Sequence, residues 1–236
     1  MSAHHPDDLT LLEYSAGSLG LAQALAVSVH LGYCLQCQSQ LRKLNALGGV
    51  LLSETRPASV GANDDQIPER SDVQNESLDK GFEQLMARIG SEEPSAEAPT
   101  NTSVSKRYHN PLERYLPSSL DELDWQQQTR EIAKYDLTNV VDMGSARITL
   151  QRIKAGAKVP VHTHRGNELT VVLKGGFSDE LGVYHAGDYI ARDPSHHHSP
   201  TALQNEDCIC LTVLDAPMRF TGPLMRWLNP LLAWKA

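Results

Sequence analysis

The chain has 236 residues, which is more than one typical domain, and its 21 basic and 29 acidic residues give a net charge of −8. Two domains are therefore expected. An acidic chain lacks the basic surface that displaces counterions from DNA, so we do not expect direct binding to nucleic acid. A hydrophobic fraction of 40% is enough for a real core. No apolar run approaches the length of a membrane span.

The beginning of the chain and its cysteines point to a reducing compartment. The first residues carry neither the basic segment nor the apolar segment of a secretory signal. The four cysteines form two close pairs, Cys34/Cys37 and Cys208/Cys210. This pattern is not that of a secreted disulfide framework, and it favours metal or thiol chemistry. The sequence thus predicts a cytoplasmic protein without a membrane segment.

The first part of the sequence has the apolar spacing of helices. Leucines recur at intervals of three and four over residues 7–53. Two aspartates at the start of this range suit the positive end of a helix dipole. The pair Gly48-Gly49 is expected to end or weaken the third helix. A fourth amphipathic helix is predicted over 75–89.

The composition then changes, and a different periodicity follows. Residues 91–108 are rich in Ser, Pro, Ala, Thr and Glu, which is typical of a flexible linker. Beyond the linker, short strand-like runs alternate with glycine-containing turns, which predicts an all-β sandwich or barrel. The expected organisation is a helical domain at 1–90, the linker at 91–108 and an all-β domain at 109–236.

The first candidate metal site is a His-x3-Cys-x2-Cys motif formed by His30, Cys34 and Cys37. On a helix His30 and Cys34 would share a face, and a turn would return Cys37 to the same point. One imidazole and two thiolates suit tetrahedral Zn²⁺, which needs a fourth ligand to close a structural site. His5 is the best candidate, because the N-terminus can fold back over the helices, and His4 is the alternative. A buried or redox-active cysteine pair without metal is the competing interpretation.

The second candidate site combines His162, His164, Glu168 and His198. His162 and His164 are two residues apart, so on an extended chain both imidazoles point to one face. Glu168 returns from the next strand towards the same interior. His198 is preferred to the two histidines before it, because it stands at the start of the next strand. Imidazole and carboxylate ligands can hold Zn²⁺, Fe²⁺, Mn²⁺ or Ni²⁺, so the metal stays open. A β-barrel whose histidines only form hydrogen bonds is the alternative.

The second cysteine pair, Cys208 and Cys210, lies in a predicted strand with both side chains on one side. Such neighbouring positions make strained disulfides, so we interpret the pair as two small buried residues. A role as sensor thiols is left open.

These motifs together resemble one family closely, the ChrR-type zinc-binding anti-sigma factors. The segment from Gly156 to Gly175 also resembles the first cupin motif, whereas the second cupin motif has one extra residue between Gly187 and Pro194 and lacks its usual late Asn. The resemblance covers nearly the whole chain and is carried by His4-His5, His30/Cys34/Cys37, His162-x-His164-x3-Glu168-Leu169-Thr170, His198-x-Pro200, Asp207-Cys208-Ile209-Cys210-Leu211 and Asp215-Ala216-Pro217-x-Arg219-Phe220.

The resemblance implies a non-enzymatic transcriptional regulator with two zinc ions. Its helical domain would sequester an extracytoplasmic-function (group IV) sigma factor. Its cupin domain, a β-barrel of the jelly-roll type, would be required for release under oxidative stress from singlet oxygen or organic hydroperoxides. Carried over to this sequence, the first zinc would be held by His5, His30, Cys34 and Cys37, and the second by His162, His164, Glu168 and His198.

One enzymatic function competes with this interpretation. A metal-dependent cupin dioxygenase or thiol oxidase fused to a structural zinc module would carry the same ligand types. Zinc in both sites would favour the regulator, and iron in the cupin would favour the enzyme. The inducing signal, the identity of the sigma factor and the oligomeric state, including a cupin-mediated homodimer, stay open.

Overall fold

The computed structural model describes residues 3–54, 110–138 and 146–216, together with the backbone of 218–220. Its first part contains three helices, which confirm those predicted over 7–53: α1 (Asp8–Ala16), α2 (Leu21–Leu31) and α3 (Leu35–Glu54). The helix predicted over 75–89 and the domain boundaries predicted at 90 and 108 lie outside the described residues.

Local chemistry explains where the first helix begins and ends. The carboxylate of Asp7 accepts a hydrogen bond from the amide of Thr10 at 2.7 Å and so caps the start of α1. Gly17 ends α1 in the left-handed conformation, with φ at 71°. The third helix does not end at Gly48-Gly49 but continues to Glu54. A helical glycine costs about 1 kcal/mol relative to alanine, which the rest of a long helix can outweigh.

The all-β domain is also confirmed, and a short 3-10 helix at Pro111–Arg114 precedes it. The strands among the described residues are β1 (Gln126–Gln127), β2 (Ile132–Asp136), β3 (Arg147–Ile153), β4 (His162–His164), β5 (Glu168–Lys174), β6 (Gly176–Asp179), β7 (Gly182–His185), β8 (Tyr189–Arg192), β9 (Thr201–Ala202), β10 (Cys208–Leu214) and β11 (Met218–Phe220). Six of them form an antiparallel sheet in the order β1-β2-β3-β10-β5-β8, three form a sheet in the order β7-β6-β9, and β11 pairs with β4.

Strand β10 is buried along its whole length, because both of its faces are covered. Successive residues of a strand point to opposite faces. Ile209 and Leu211 belong to a core that also contains residues of the helices. Cys208 and Cys210 belong to a second core, formed only by residues of the β domain. The large sheet therefore has one face towards the helices and the other towards the interior of the β domain.

Helix α2 makes most of this packing. It contacts β5 and β10, and its buried Leu25 and Val29 share a core with Val171 and Leu211 of those strands. The described helices and the β domain consequently form one compact unit. This packing brings the end of α2 next to the turn that precedes β8.

Candidate metal centres

The first candidate metal centre lies where the N-terminal segment meets the turn between α2 and α3. His5 precedes α1, His30 is in the last turn of α2, Cys34 precedes α3, and Cys37 is in the first turn of α3. One donor atom of each residue lies within 4.8 Å of the other three. Cys34 thus lies in a turn and not on the helix of His30, but its amide still donates to the carbonyl of His30 at 3.1 Å.

The spacing of these donor atoms fits a zinc ion. His5 Nδ1 is 3.3 Å from Cys34 Sγ and 3.4 Å from Cys37 Sγ. His30 Nε2 is 3.3 Å from Cys37 Sγ. Nitrogen and sulfur ligands of a tetrahedral zinc lie about 3.3–3.8 Å from one another, given their usual bond lengths. Two imidazoles and two thiols therefore stand close to the geometry that zinc requires.

The tautomer of His30 is set by the β domain. His30 Nδ1 lies 2.7 Å from the carbonyl oxygen of Gly187. A carbonyl can only accept, so Nδ1 donates and Nε2 presents its lone pair to the thiol cluster. Burial lowers the pKa of His30, which keeps this imidazole neutral near pH 7. His4, the alternative ligand, lies outside the cluster, with its Nδ1 3.3 Å from Asp188 Oδ2.

The second candidate metal centre lies inside the β domain. His162 and His164 are the two ends of β4, and Glu168 is the first residue of β5. The backbones of His162 and His198 exchange two hydrogen bonds of 3.1 Å, which place His198 beside β4. All four residues are buried, and their donor atoms lie within 4.8 Å of one another.

The structure brings only one of the three consecutive histidines to this centre. His196 Nδ1 lies 2.9 Å from the carboxylate of Asp193, outside the domain interior. The exposed His197 has its Nδ1 3.3 Å from the carbonyl of Ser195. His198 is 6% exposed and faces the other donors.

The donors of the second centre converge closely. His162 Nε2 lies 2.9 Å from His198 Nε2, and His164 Nε2 lies 2.9 Å from Glu168 Oε2. His162 Nδ1 donates to the carbonyl of Pro160 at 2.8 Å, so its Nε2 carries a lone pair towards the centre. Three imidazole nitrogens and a carboxylate oxygen that face one point form a donor set for a divalent cation. The residues present therefore fit a metal ion here too.

The charges at this centre already favour metal binding at neutral pH. Burial raises the pKa of Glu168, but the hydrogen bond from His164 and the charges of the surrounding histidines outweigh it and hold the pKa at about 2. Burial, aided by the neighbouring His198, lowers the pKa of His162 to about 4. Burial also lowers the pKa of His198. An ionised carboxylate and neutral imidazoles are the forms that bind metals.

The second cysteine pair lies near this centre without joining it. Cys208 Sγ and Cys210 Sγ are 3.5 Å apart, and both residues are buried free cysteines. The contact with Cys208 and burial raise the pKa of Cys210 well above its usual value. Neither sulfur belongs to either group of candidate ligands among the described residues.

Sequence reasoning missed the residues that support the ligands from behind. Gly187 contacts His30, and Asp179 Oδ2 lies 3.8 Å from His198 Nδ1. Asp188 is 1% exposed and contacts the N-terminal segment that carries His5. In the sequence, Gly187-Asp188 was visible as a turn and as part of the second cupin motif but not as a support for the first centre, and Asp179 carried no signal at all.

The fold and the two centres define a class of protein, in which a helical module with one candidate metal centre precedes a cupin-type domain with a second. Residues 117–217 match the family described as the ChrR cupin-like domain. The anti-sigma-E factor ChrR of Cereibacter sphaeroides is 34% identical over 227 residues, which cover 96% of this chain and 96% of that protein. The chain therefore belongs to the ChrR family of anti-sigma factors.

A solved structure agrees with this assignment. The crystal structure of Rhodobacter sphaeroides SigE in complex with the anti-sigma ChrR matches with 32% identity and a TM-score of 0.67, and the match covers 91% of this chain and 100% of the matched chain. The predicted resemblance and the predicted helical-then-cupin fold are thus confirmed. Within the described ranges, no helix is long and apolar enough to cross a membrane.

The two centres are expected to differ in the number of protons that they release when zinc binds. Burial, together with the neighbouring Cys34, raises the pKa of Cys37 to about 12, so this thiol is protonated at pH 7.5 and must lose its proton to bind zinc. Glu168 is already ionised and His162 is already neutral at that pH. We expect each zinc ion to release about one proton or more when it binds at the first centre, and close to none when it binds at the second. The affinity of the first centre should therefore rise with pH above 7, while that of the second stays flat.

Calorimetric titration with Zn²⁺ in buffers of different ionisation enthalpy measures this release. The His162→Ala/His164→Ala protein isolates the first centre, and the Cys34→Ser/Cys37→Ser protein isolates the second. Equal proton release from the two centres would show that the pKa values assigned to these ligands are wrong.

Proposed function

We propose that this chain is an anti-sigma factor whose helical module sequesters an extracytoplasmic-function sigma factor, and that the cupin domain releases it under oxidative stress. The observation that carries the proposal is the similarity over 96% of the chain to an anti-sigma factor, joined to two assembled groups of metal-binding side chains. The proposed ligands are His5, His30, Cys34 and Cys37 for a first zinc, and His162, His164, Glu168 and His198 for a second.

The helical module has surface suited to a protein partner. On α1, Leu9 and Leu12 are 62% and 47% exposed, and on α3, Leu47 and Val50 are 55% and 52% exposed. The two helices contact each other. Contiguous exposed apolar patches mark interaction sites, and we propose that these side chains are part of the surface that contacts the sigma factor. The net charge of −8 also favours a partner whose free surface binds DNA.

The space beside the second centre favours a regulator over an enzyme. A cavity of about 30 Å³ adjoins His162, Glu168 and His198 and is lined also by Phe177 and Cys210. This is about the share of one water molecule in the liquid. Pockets for organic ligands usually measure about 300–1,000 Å³, so this cavity is small for an organic substrate, whereas a small oxidant fits it. Zinc bound there would supply structural cross-linking of β4, β5 and the segment of His198, and we propose no catalytic turnover.

The proposed location is the cytoplasm, where a sigma factor and RNA polymerase are found. The proposed division of the chain is a helical anti-sigma domain at 1–90, a linker at 91–108 and a cupin domain at 109–236. A homodimer through the cupin domain is not required for the proposed function.

The direct test is co-expression of the full chain with an extracytoplasmic-function sigma factor of the same organism, followed by affinity capture. A stoichiometric complex that is excluded from core RNA polymerase is the expected result, with the primary sigma factor as the control that is not captured. If none of the organism's extracytoplasmic-function sigma factors is captured, the proposed function is wrong.

Residues 1–90 alone are expected to inhibit the sigma factor, because the cupin domain is needed only for the response. The fragment should have a lower melting temperature than the full chain, since α2 loses the sheet against which Leu25 and Val29 are buried. In vitro transcription with purified fragment measures the inhibition. A fragment that folds and holds zinc but does not inhibit would contradict the proposed division of labour.

A further inference from the structure

The N-terminal segment that carries His5 is attached to the cupin domain by three hydrogen bonds of its backbone. We call residues 185–189, which connect β7 and β8, the clamp turn. Asp188 Oδ1 accepts hydrogen bonds from the amides of Ala3 and His4, at 2.7 and 3.2 Å. The amide of Tyr189 donates to the carbonyl of His4 at 3.0 Å. These three bonds hold the residues immediately before His5 against the clamp turn.

Asp188 is well placed to act as an anchor. It is 1% exposed, and its Oδ2 accepts a hydrogen bond from the amide of His185 at 2.9 Å, so the carboxylate also closes the clamp turn itself. A buried carboxylate needs several such donors, because burial without partners is costly. The N-terminal segment supplies two of them from a distance of 184 or more residues along the chain.

The clamp turn also contacts the ligand from α2. Gly187 O accepts a hydrogen bond from His30 Nδ1, which leaves Nε2 for the metal. Gly187 has φ at 97°, and a Cβ placed on it would lie 2.8 Å from Tyr33 Cβ. Glycine therefore permits both the conformation of the turn and its close approach to the α2–α3 connection.

We propose that the clamp turn is part of the first metal centre, with Asp188 and Gly187 as positioning residues for His5 and His30. The affinity of the helical module for zinc then depends on the cupin domain. This inference rests on the proposed function only in taking the two ligand groups as metal sites. Partners behind metal ligands are commonly worth about 10–100-fold in metal affinity.

The same turn leads to the second centre. Strand β8 begins at Tyr189 in the clamp turn. Its last residue, Arg192, lies opposite the proposed ligand Glu168 in the register of β8 and β5. Arg192 Nη2 also lies 3.2 Å from Asp179 Oδ2 and 2.5 Å from the hydroxyl of Tyr184. Residues that support the second centre are therefore continuous with the clamp turn.

Two contacts complete the connection at its ends. Asp179 Oδ2 lies 3.8 Å from Nδ1 of the proposed ligand His198. At the other end, the ring of Tyr184 packs against the ring of His4, with centroids 4.7 Å apart. Metal bound at one centre should therefore raise the affinity of the other, and thermodynamic linkage makes the effect reciprocal. We expect a coupling of about 5-fold or more, at the low end of the range usual for coupled sites.

Cobalt titration of the full chain separates the two centres. Thiolate-to-Co²⁺ absorption arises only at the first centre, because the second contains no sulfur among its proposed ligands. Asp188→Ala should weaken Co²⁺ at the first centre, and Zn²⁺ measured by competition, by about 10–100-fold. Asp188→Asn keeps an oxygen for Ala3 and His4 but turns its NH2 towards the amide of His185, so its affinity should lie between those of Asp188→Ala and the wild type.

Asp207→Ala is the matched control. Asp207 likewise joins parts of the cupin domain, with Oδ1 3.0 Å from the amide of Ala155 and Oδ2 2.8 Å from Arg152 Nε. It makes no hydrogen bond to the helices among those described, so its loss should leave the first centre unchanged. If Asp188→Ala and Asp207→Ala have equal effects on the first centre, the proposed positioning role is wrong.

Deletion of residues 2–4 tests the clamp without changing the cupin domain, and it decides the matter if Asp188→Ala does not fold. The expected result is the same loss of affinity at the first centre. His162→Ala/His164→Ala should independently weaken the first centre about 5-fold or more. A wild-type chain without thiolate-to-Co²⁺ absorption would refute the metal assignment itself. A normal spectrum with affinity unaffected by Asp188→Ala and by the deletion would refute only the clamp.

Discussion

Replacement of Cys34 or Cys37 by serine is expected to abolish zinc binding at the first centre and, with it, binding of the sigma factor. Cys37 Sγ contacts both His5 and His30, and Cys34 Sγ accepts a hydrogen bond from the amide of Cys37 at 3.4 Å. Each sulfur therefore ties the start of α3 to the other ligands. A hydroxyl is a poor zinc ligand by comparison with a thiolate.

The size of this effect depends on how much of the folding free energy of the helical module comes from zinc binding. Structural zinc contributes about 10–16 kcal/mol to the folding of small zinc-binding peptides. Whole domains have a net stability of only about 5–15 kcal/mol. Loss of the ion therefore removes enough free energy to unfold the arrangement of α1, α2 and α3 that would present the binding surface.

Metal analysis and affinity capture of the sigma factor measure both consequences in the same preparations. Cys208→Ser is the matched control, since Cys208 is as buried as Cys37 but lies outside both ligand groups. It should retain both zinc ions and full binding. Normal capture of the sigma factor by a zinc-free Cys34→Ser protein would show that the first centre is not needed for binding.

Most of each proposed ligand group could be predicted, because its members are residue types that bind metals and lie only a few positions apart in the sequence. His30, Cys34 and Cys37 lie within one turn and its flanking helices, and His162 and His164 are alternate residues of one strand. Local rules of helix and strand geometry suffice to bring such residues together. The choice of His5 rested on the resemblance as well, because nothing near residue 5 indicates where the N-terminal segment packs.

The packing of the two modules could not be predicted, because it depends on contacts between residues that are far apart in the sequence. Contacts between Asp188 and residues 3–4 join positions that are 184 and 185 residues apart, and no local pattern carries information about them. Strand β10 did contain a hint, since all of its residues except Thr212 are apolar, without the alternation of a strand that has one polar face. A strand buried on both faces has this composition. The partner that covers the second face, α2, is evident only in the structure.

The sensing centre is expected to be the cupin metal site and not the thiols of Cys208 and Cys210. An oxidant needs a reactive thiolate or a site whose ligands it can alter. Cys208 and Cys210 are 0% and 3% exposed, and the raised pKa of Cys210 keeps its thiol protonated at neutral pH. Because the thiolate is the reactive form, this environment makes Cys210 slow to react.

The second centre offers a better target. Three imidazoles, which singlet oxygen attacks readily, surround one point beside a cavity of about 30 Å³ that a small oxidant can enter. Loss of one ligand would release the cross-link between β4, β5 and the segment that carries His198. A local change of this kind can be converted into a large response when it biases an element with two arrangements. The clamp turn contacts both His30 and the segment that carries His5, so it is the connection through which such a change would reach the helical module.

His162→Ala/His164→Ala should therefore still repress the sigma factor but no longer respond to oxidant, whereas Cys208→Ser/Cys210→Ser should respond normally. Repression survives the predicted coupling between the centres, because a 10-fold loss of affinity is about 1.4 kcal/mol and the first zinc contributes several times that amount. Output of a sigma-dependent reporter, with and without oxidant, distinguishes the variants. A silent cysteine variant and a responsive histidine variant would place the sensor at the thiols, and the imidazoles would then serve only to hold the fold of the cupin domain.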